Sequence, residues 1–182
     1  MGTVRIARAE FPQMRDRIAA LLTEYQQDFG RDPCFHRFSA ELAALPGEYA
    51  PEAGGAIFVA MDGDGALAGC IALRRMGDGI CEMKRLYVRA VARGSGAGRL
   101  LVQAIVEEGR RLGYRVMRLD TIRESMKPAI ALYRSIGFRE IEPYYGEPIA
   151  GVLYLELNLN PAAEQGGATA PRLAGAQIEP AR

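Results

Sequence analysis

The sequence predicts an α+β domain, a β-meander followed by alternating helices and strands around one mixed sheet. Three observations carry that expectation. Two short apolar runs flank Asp62-Gly63-Asp64-Gly65, a strong hairpin signal. A third run, residues 80–88, leads into a glycine-rich loop and then an amphipathic segment. After it the period switches between strand and helix to the end of the apolar sequence, in the order βαβαββ, which belongs to a mixed sheet with helices on its faces.

The elements follow in order. Residues 3–9 carry Val4 and Ile6 and suit a first strand. Pro12 suits the first turn of a helix reaching Phe29, with Met14, Ile18, Leu21, Leu22 and Tyr25 at helical spacing and Gly30 and Pro33 ending it. Ser39 is the expected N-cap of a short helix carrying Leu42 and Leu45, stopped by Pro46-Gly47. Strands are expected at 56–61, 67–73 and 80–88. A helix is expected at 98–112, with Leu101, Ile105 and Leu112 on one face. A strand at 115–122 and a helix at 125–135 with Gly137 as its C-cap come next. Residues 138–141 and 151–157 read as the last two strands. From Pro161 the chain is rich in Ala, Gly, Pro and Gln, so residues 1–159 form the expected single domain and 160–182 a flexible tail.

Composition excludes several classes. The 182 residues carry 23 basic and 22 acidic side chains, unlike a general nucleic-acid binder. The balance is uneven: residues 84–139 hold 13 Lys and Arg against 4 Asp and Glu. That segment suits a polyanion, and the acidic surplus elsewhere suits a cationic partner such as a polyamine, an aminoglycoside or a lysine side chain. Cys34, Cys70 and Cys81 have no metal-ligand spacing and read as reduced thiols. With no secretory h-region and no apolar run of membrane length, a cytoplasmic protein is expected and no membrane partner. His36, the single histidine, reads as structural rather than catalytic.

The stretch 88–101 holds the clearest chemistry. Gly94, Gly96 and Gly98 alternate between a strand and a helix, with Arg93 and Arg99 on either side. Glycines allow positive φ and a close ligand, and a helix N-terminus offers unpaired N–H groups to phosphate. A Rossmann fingerprint would need a small residue where Arg99 stands, although Asp120 lies at the distance of a ribose-binding acid, and only 84 residues follow Gly98. A P-loop needs Lys-Ser or Lys-Thr, and neither follows.

Arg93-Gly94-Ser95-Gly96-Ala97-Gly98 resembles the pyrophosphate loop of the GNAT acetyltransferase superfamily. Glu82 to Val88 resembles that family's fourth strand, and Ala131-Leu132-Tyr133-Arg134-Ser135-Ile136-Gly137-Phe138 its late helix-to-strand motif, all in the family's order. The resemblance covers roughly residues 4–157. It implies the GNAT fold, a mostly antiparallel central sheet flanked by helices on both faces, with acetyl-CoA as cofactor and CoA as product. It implies that the backbone of Gly94, Ser95, Gly96, Ala97, Gly98 and Arg99, beside Arg93, holds the pyrophosphate. It also implies that Leu86, Tyr87 and Val88 pair with pantetheine, with the Val88 N–H facing the thioester carbonyl. Lys127 could reach the adenosine phosphate. Ser125 takes the position at which many relatives carry an asparagine.

The chemistry so implied is direct attack of a neutral amine on the thioester, with both substrates bound together. Glu82 matches the family's base and Tyr133 its general acid. Strict alternation would put Glu82, Lys84, Leu86 and Val88 on one strand face. Arg37, Tyr144 and Tyr145, with Glu41 and Tyr49, fall in regions bordering the family's acceptor cleft, for a small-molecule or peptide amine. A homodimer follows from the resemblance alone. The competing class, a non-catalytic acyl-CoA-binding module, could dispense with Glu82 and Tyr133.

Overall fold

The structure, a computed structural model, describes residues 4–29, 37–146 and 148–160. Cys34, His36 and the tail from Pro161 lie outside the described residues. Seven strands make one sheet. They are β1 (Arg5–Arg8), β2 (Ala56–Met61), β3 (Leu67–Gly77), β4 (Ile80–Val88), β5 (Val116–Ile122), β6 (Arg139–Ile141) and β7 (Val152–Asn158). Their order across the sheet is β1-β2-β3-β4-β5-β7-β6. The first four form an antiparallel meander, β4 and β5 are parallel, and β7 returns antiparallel between β5 and β6.

Four α-helices cover the two faces: α1 (Arg15–Phe29), α2 (Phe38–Ala44), α3 (Ala97–Arg111) and α4 (Lys127–Ile136). Leu101, Val102 and Ile105 of α3 and Ile130 and Tyr133 of α4 pack on Leu73, Met83, Met117, Leu119 and Leu155. Ile18, Leu21, Leu22 and Tyr25 of α1 and Phe38 of α2 pack on Val59, Cys70 and Tyr87 on the opposite face. No helix among the described residues is long and apolar enough to cross a membrane.

The hairpin after β2 closes as its sequence predicts. Asp62 Oδ1 accepts from the N–H groups of Asp64 and Ala66 at 3.0 and 2.9 Å, the side chain supplying the turn's acceptor. The start of α2 differs from expectation. Ser39 lies inside the helix and Arg37 takes the N-cap without a side-chain bond. Phe38 is almost fully buried and lies 5.2 Å beneath the Arg85 guanidinium, so burial of that ring sets the helix start in place of a capping hydroxyl.

Two irregularities of β4 position the site. Opposite Ile71 the strand has two residues, Arg85 and Leu86, because the register runs Cys70↔Tyr87 and then Ala72↔Lys84. Arg85 has φ 60°, a left-handed value that costs a non-glycine residue on the order of 1–3 kcal/mol. This bulge overturns the expected alternation. Leu86 and Val88 face the α3/α4 side with Cys81 and Met83, while Tyr87 joins the α1/α2 cluster. Glu82 and Lys84 therefore do not share a face with Leu86 and Val88. The second irregularity is a splay. β4 pairs with β5 only from Ile80↔Val116 to Glu82↔Arg118, and beyond that the two strands part.

Candidate active site

Three cavities lie end to end along the parted half of β4. The largest, about 630 Å³, is bordered by Leu86, Tyr87, Val88, Arg93, Gly94, Gly96, Ala97, Gly98, Arg99 and Ser125. Of the residues expected at a cofactor, Lys127 does not border it and neither does Ser95. Its hydroxyl turns back into the loop, donating to Ala92 O at 2.7 Å and accepting from Ala97 N at 3.3 Å. Sequence reasoning missed the apolar wall from Phe29, Met126, Ala129 and Leu132. The helical period of α4 held that signal for the last three.

Backbone geometry prepares this cavity for an anion. Gly94 and Gly96 have φ 80° and 87°, open only to glycine at low cost, and no atom lies within 4 Å of where a Cβ would stand on either. They aim the loop at the N-terminus of α3, a helix of 15 residues whose dipole makes that end electropositive; the Ala97 N–H there is taken by Ser95 Oγ. Arg93 donates to Val88 O at 3.1 Å, and Arg99 to Ser135 Oγ at 3.0 Å. Lys127 is exposed and paired with Glu124 at 3.0 Å. The cavity thus has a cationic, amide-lined mouth and an apolar throat, which fits a pyrophosphate joined to a long, weakly polar arm.

Along the throat, Arg89 N donates to Ala68 O at 2.9 Å. In an antiparallel ladder the neighbouring pair, Gly69↔Val88, is then not hydrogen-bonded, and the Val88 N–H points away from β3. With β5 splayed away, that N–H faces the gap.

The second cavity, about 40 Å³, lies where the strands part and is bordered by Lys84, Leu86, Asp120 and Tyr133. The Tyr133 hydroxyl has no hydrogen-bond partner among the described residues. Burial first, and the Asp120 charge second, raise its pKa well above the usual tyrosine value. It therefore keeps its proton through the neutral range and can only donate it.

The third cavity is a cleft of about 400 Å³ between α2 and the sheet, bordered by Arg37, Glu41, Glu48, Tyr49, Arg74, Lys84 and Arg85. Arg85 donates from Nε to Glu41 Oε1 at 2.7 Å and also bonds Glu41 through Nη2. Tyr49 donates to Glu41 Oε1 at 2.7 Å. Burial works against the Glu41 charge, but the Arg85 bonds and charge outweigh it and hold the carboxyl below its usual range. Burial and Glu41 together push the Tyr49 hydroxyl well up. The acidic surplus outside residues 84–139 does not dominate the lining of this cleft, where Arg37, Arg74, Lys84 and Arg85 stand with Glu41 and Glu48.

Beneath these cavities a ladder of alternating charge crosses the sheet. Glu82 stands opposite Arg74 on β3 and Arg118 on β5, and Arg118 stands opposite Glu156 on β7. Arg74 Nε donates to Glu82 Oε2 at 2.7 Å, and Arg118 Nε to Glu156 Oε2 at 2.8 Å. One step along, Lys84 Nζ donates to Asp120 Oδ1 at 2.7 Å. The rival reading of Asp120 as a ribose-binding acid ends with that pairing. Tyr144 and Tyr145 fold over this ladder from the β6–β7 connection. The Tyr144 hydroxyl donates to Glu82 Oε1 at 2.9 Å, the Tyr145 hydroxyl bonds Asp120, and the Tyr144 ring lies 5.4 Å from the Arg118 guanidinium. Neither tyrosine borders the arginine-rich cleft; of the residues expected around an acceptor, Arg37, Glu41 and Tyr49 do. Glu82 is fully buried, with both oxygens engaged. Arg74 escaped sequence reasoning because its role exists only in the register.

The model of the acetyltransferase (GNAT) family matches residues 16–138. An N-acetyltransferase of Schizosaccharomyces pombe is 42% identical over 160 residues, covering 87% of this chain and 97% of that protein. One of Dictyostelium discoideum is 28% identical, covering 79% of this chain and 94% of its own. Among solved structures, a GNAT-family acetyltransferase of Staphylococcus aureus superposes with a TM-score of 0.72 at 18% identity, over 86% of this chain and 99% of that one. The yncA acetyltransferase of Salmonella typhimurium, solved with its cofactor acetyl-CoA, superposes with a TM-score of 0.66 at 21% identity, over 87% of this chain and 95% of its own.

Proposed function

Because this chain belongs to the GNAT acetyltransferase family, we propose that it is an acetyl-CoA-dependent N-acetyltransferase that binds cofactor and amine acceptor together and transfers acetyl directly between them. The observation that supports this reading is the row of cavities on β4. The glycine-loop cavity shares Leu86, Met126 and Ala129 with the junction cavity, and the junction cavity shares Lys84 and Arg85 with the arginine-rich cleft. Two ligands entering from opposite ends would meet at Tyr133.

Acetyl-CoA, when bound, supplies an activated acetyl thioester. The amides from Gly94 to Arg99 and the α3 N-terminus hold its pyrophosphate, and the unpaired edge of β4 orients its arm. The Val88 N–H would face the acetyl oxygen and stabilise charge there, and Tyr133 Oη, which keeps its proton, would be the donor at the sulfur. Glu82 is the base the family resemblance implies; its Oε1 accepts from the Tyr144 hydroxyl and its Oε2 from Arg74, which borders the cleft. Burial and the Glu82 charge hold Tyr144 well above the ordinary tyrosine value, which keeps it a phenol throughout.

Thermal unfolding tests the reading. A ligand at a hundred times its Kd stabilises the native state by about 2.7 kcal/mol, roughly 5–10 °C in a domain of this size. The midpoint rises with acetyl-CoA and with CoA and stays put with NAD. No rise with acetyl-CoA removes the reading.

A further inference from the structure

The cations of the cleft beside α2 are matched in number by carboxylates, but not evenly along it. Arg37, Arg74, Lys84 and Arg85 border it against two carboxylates, Glu41 and Glu48. Both carboxylates are already engaged, Glu41 by Arg85 and Glu48 by Arg74 Nη1 at 2.7 Å. The carboxylates behind the wall are engaged too, Glu82 by Arg74 Nε and Asp120 by Lys84, each at 2.7 Å. Arg37 is exposed at the start of α2 and has no ion-pair partner among the described residues. Arg74 uses Nε and Nη1 in those pairs, and its Nη2 makes no hydrogen bond among the described residues. Among the described residues, Arg37 and Arg74 Nη2 therefore offer the cleft guanidinium N–H groups that no side chain takes up.

With Arg37 unpaired and Arg74 Nη2 open, that part of the wall attracts an anion, while farther in Arg74, Lys84 and Arg85 face four carboxylates. An amine with a carboxylate a few bonds away enters neutral overall and presents a planar anion to a planar donor fork. Resting on the reading of this cleft as the acceptor side, we infer that the acceptor is a free amino acid, its carboxylate held by Arg37 and Arg74 and its nitrogen turned toward the Lys84 end. The volume of about 400 Å³ sits low in the range of small-molecule sites, about 300–1,000 Å³, and suits a molecule of that size. The transfer balances without another reactant. The nitrogen pair bonds the acetyl carbon as the carbon–sulfur bond breaks, and the sulfur keeps that pair. The ammonium loses two protons; one makes good the proton given to sulfur and the other leaves to water.

The test measures acetyl transfer at saturating acetyl-CoA to L-amino acids, to their C-terminal amides and to the decarboxylated amines. The acetyl-CoA midpoint shift is recorded on the same samples. The acids are expected to exceed their amides by about tenfold or more in kcat/KM, the scale of one charged hydrogen-bonded contact. Arg37→Gln removes about a tenfold preference, mainly through KM, Arg37→Lys restores part of it, and the acetyl-CoA shift stays as in the wild type. Amides or decarboxylated amines used as well as the acids, or no turnover of any of them, overturns the inference while the intact shift leaves the cofactor reading standing. Absence of the shift removes both.

Discussion

The glycine-loop cavity and the arginine-rich cleft, joined through the junction at Tyr133, are built in opposite ways. The cofactor side is mostly backbone. One contiguous segment, residues 86–99, supplies the strand edge, the glycine turn and the helix N-terminus, and α4 closes the wall. The acceptor side is side chains brought from α2, the loop after it, β3 and β4, held apart by ion pairs. A backbone site needs glycines at particular places and a helix behind them. A side-chain site needs only that distant residues converge, and its charge can change without disturbing the fold. On the proposed function, the backbone-built end would be fixed by its ligand, while the side-chain-built end would be free to differ in what it accepts.

The sharpest way to probe the comparison is its meeting point. Tyr133→Phe is expected to lower kcat by about 10²- to 10⁴-fold, the usual range for a lost general acid. The KM values for both substrates should stay within a few-fold, as steady-state rates will determine. A fall in cofactor affinity instead would move Tyr133 from the junction into the cofactor site.

The next largest effect belongs to the acceptor side and is one of stability. Glu41→Gln leaves the buried Arg85 without its carboxylate and should cost about 3–5 kcal/mol in urea unfolding. Because the folded carboxyl lies below its ordinary value of 4.5, its stabilisation is complete above that pH and disappears as pH falls through the lowered value. The wild type should lose stability in acid more steeply than Glu41→Gln, and parallel acid limbs would show that the pair contributes little.

The cofactor side should respond in affinity. Gly96→Val forces a β-branched residue to φ 87° and sets side-chain atoms where the ligand would lie. Binding of acetyl-CoA should weaken by about tenfold or more by calorimetry, at an unchanged acceptor KM. The smallest change is expected for Arg99→Gln, an exposed charge tied only to Ser135. Acetyl-CoA should bind a few-fold more weakly, with a shallower dependence on salt.

How much of this was legible in the sequence follows the same division. Gly94, Gly96 and Gly98 between a strand and a helix announce an anion site because each link is local. Tyr133 was legible through its place before Gly137, the helix C-cap. The bulge at Arg85 was not, because nothing in Lys84-Arg85-Leu86 marks a left-handed arginine. It is held by Glu41, 44 residues earlier in the chain. Missing it put Leu86 and Val88 on the wrong face. Ser39 looked like a cap, and the buried Phe38 ring decided otherwise. The cationic wall was hidden for a similar reason. Overall charge pointed to an acidic acceptor side, whereas the sheet register places Arg74 beside Glu82 and uses up the local acids in pairs.

Hydrogen exchange with and without acetyl-CoA tests the central claim most directly, because amides on the two sides report separately. The account predicts slowed exchange at Val88 and across residues 94–100, with residues 38–49 unchanged. Protection of residues 38–49 with the glycine loop unaffected would contradict it.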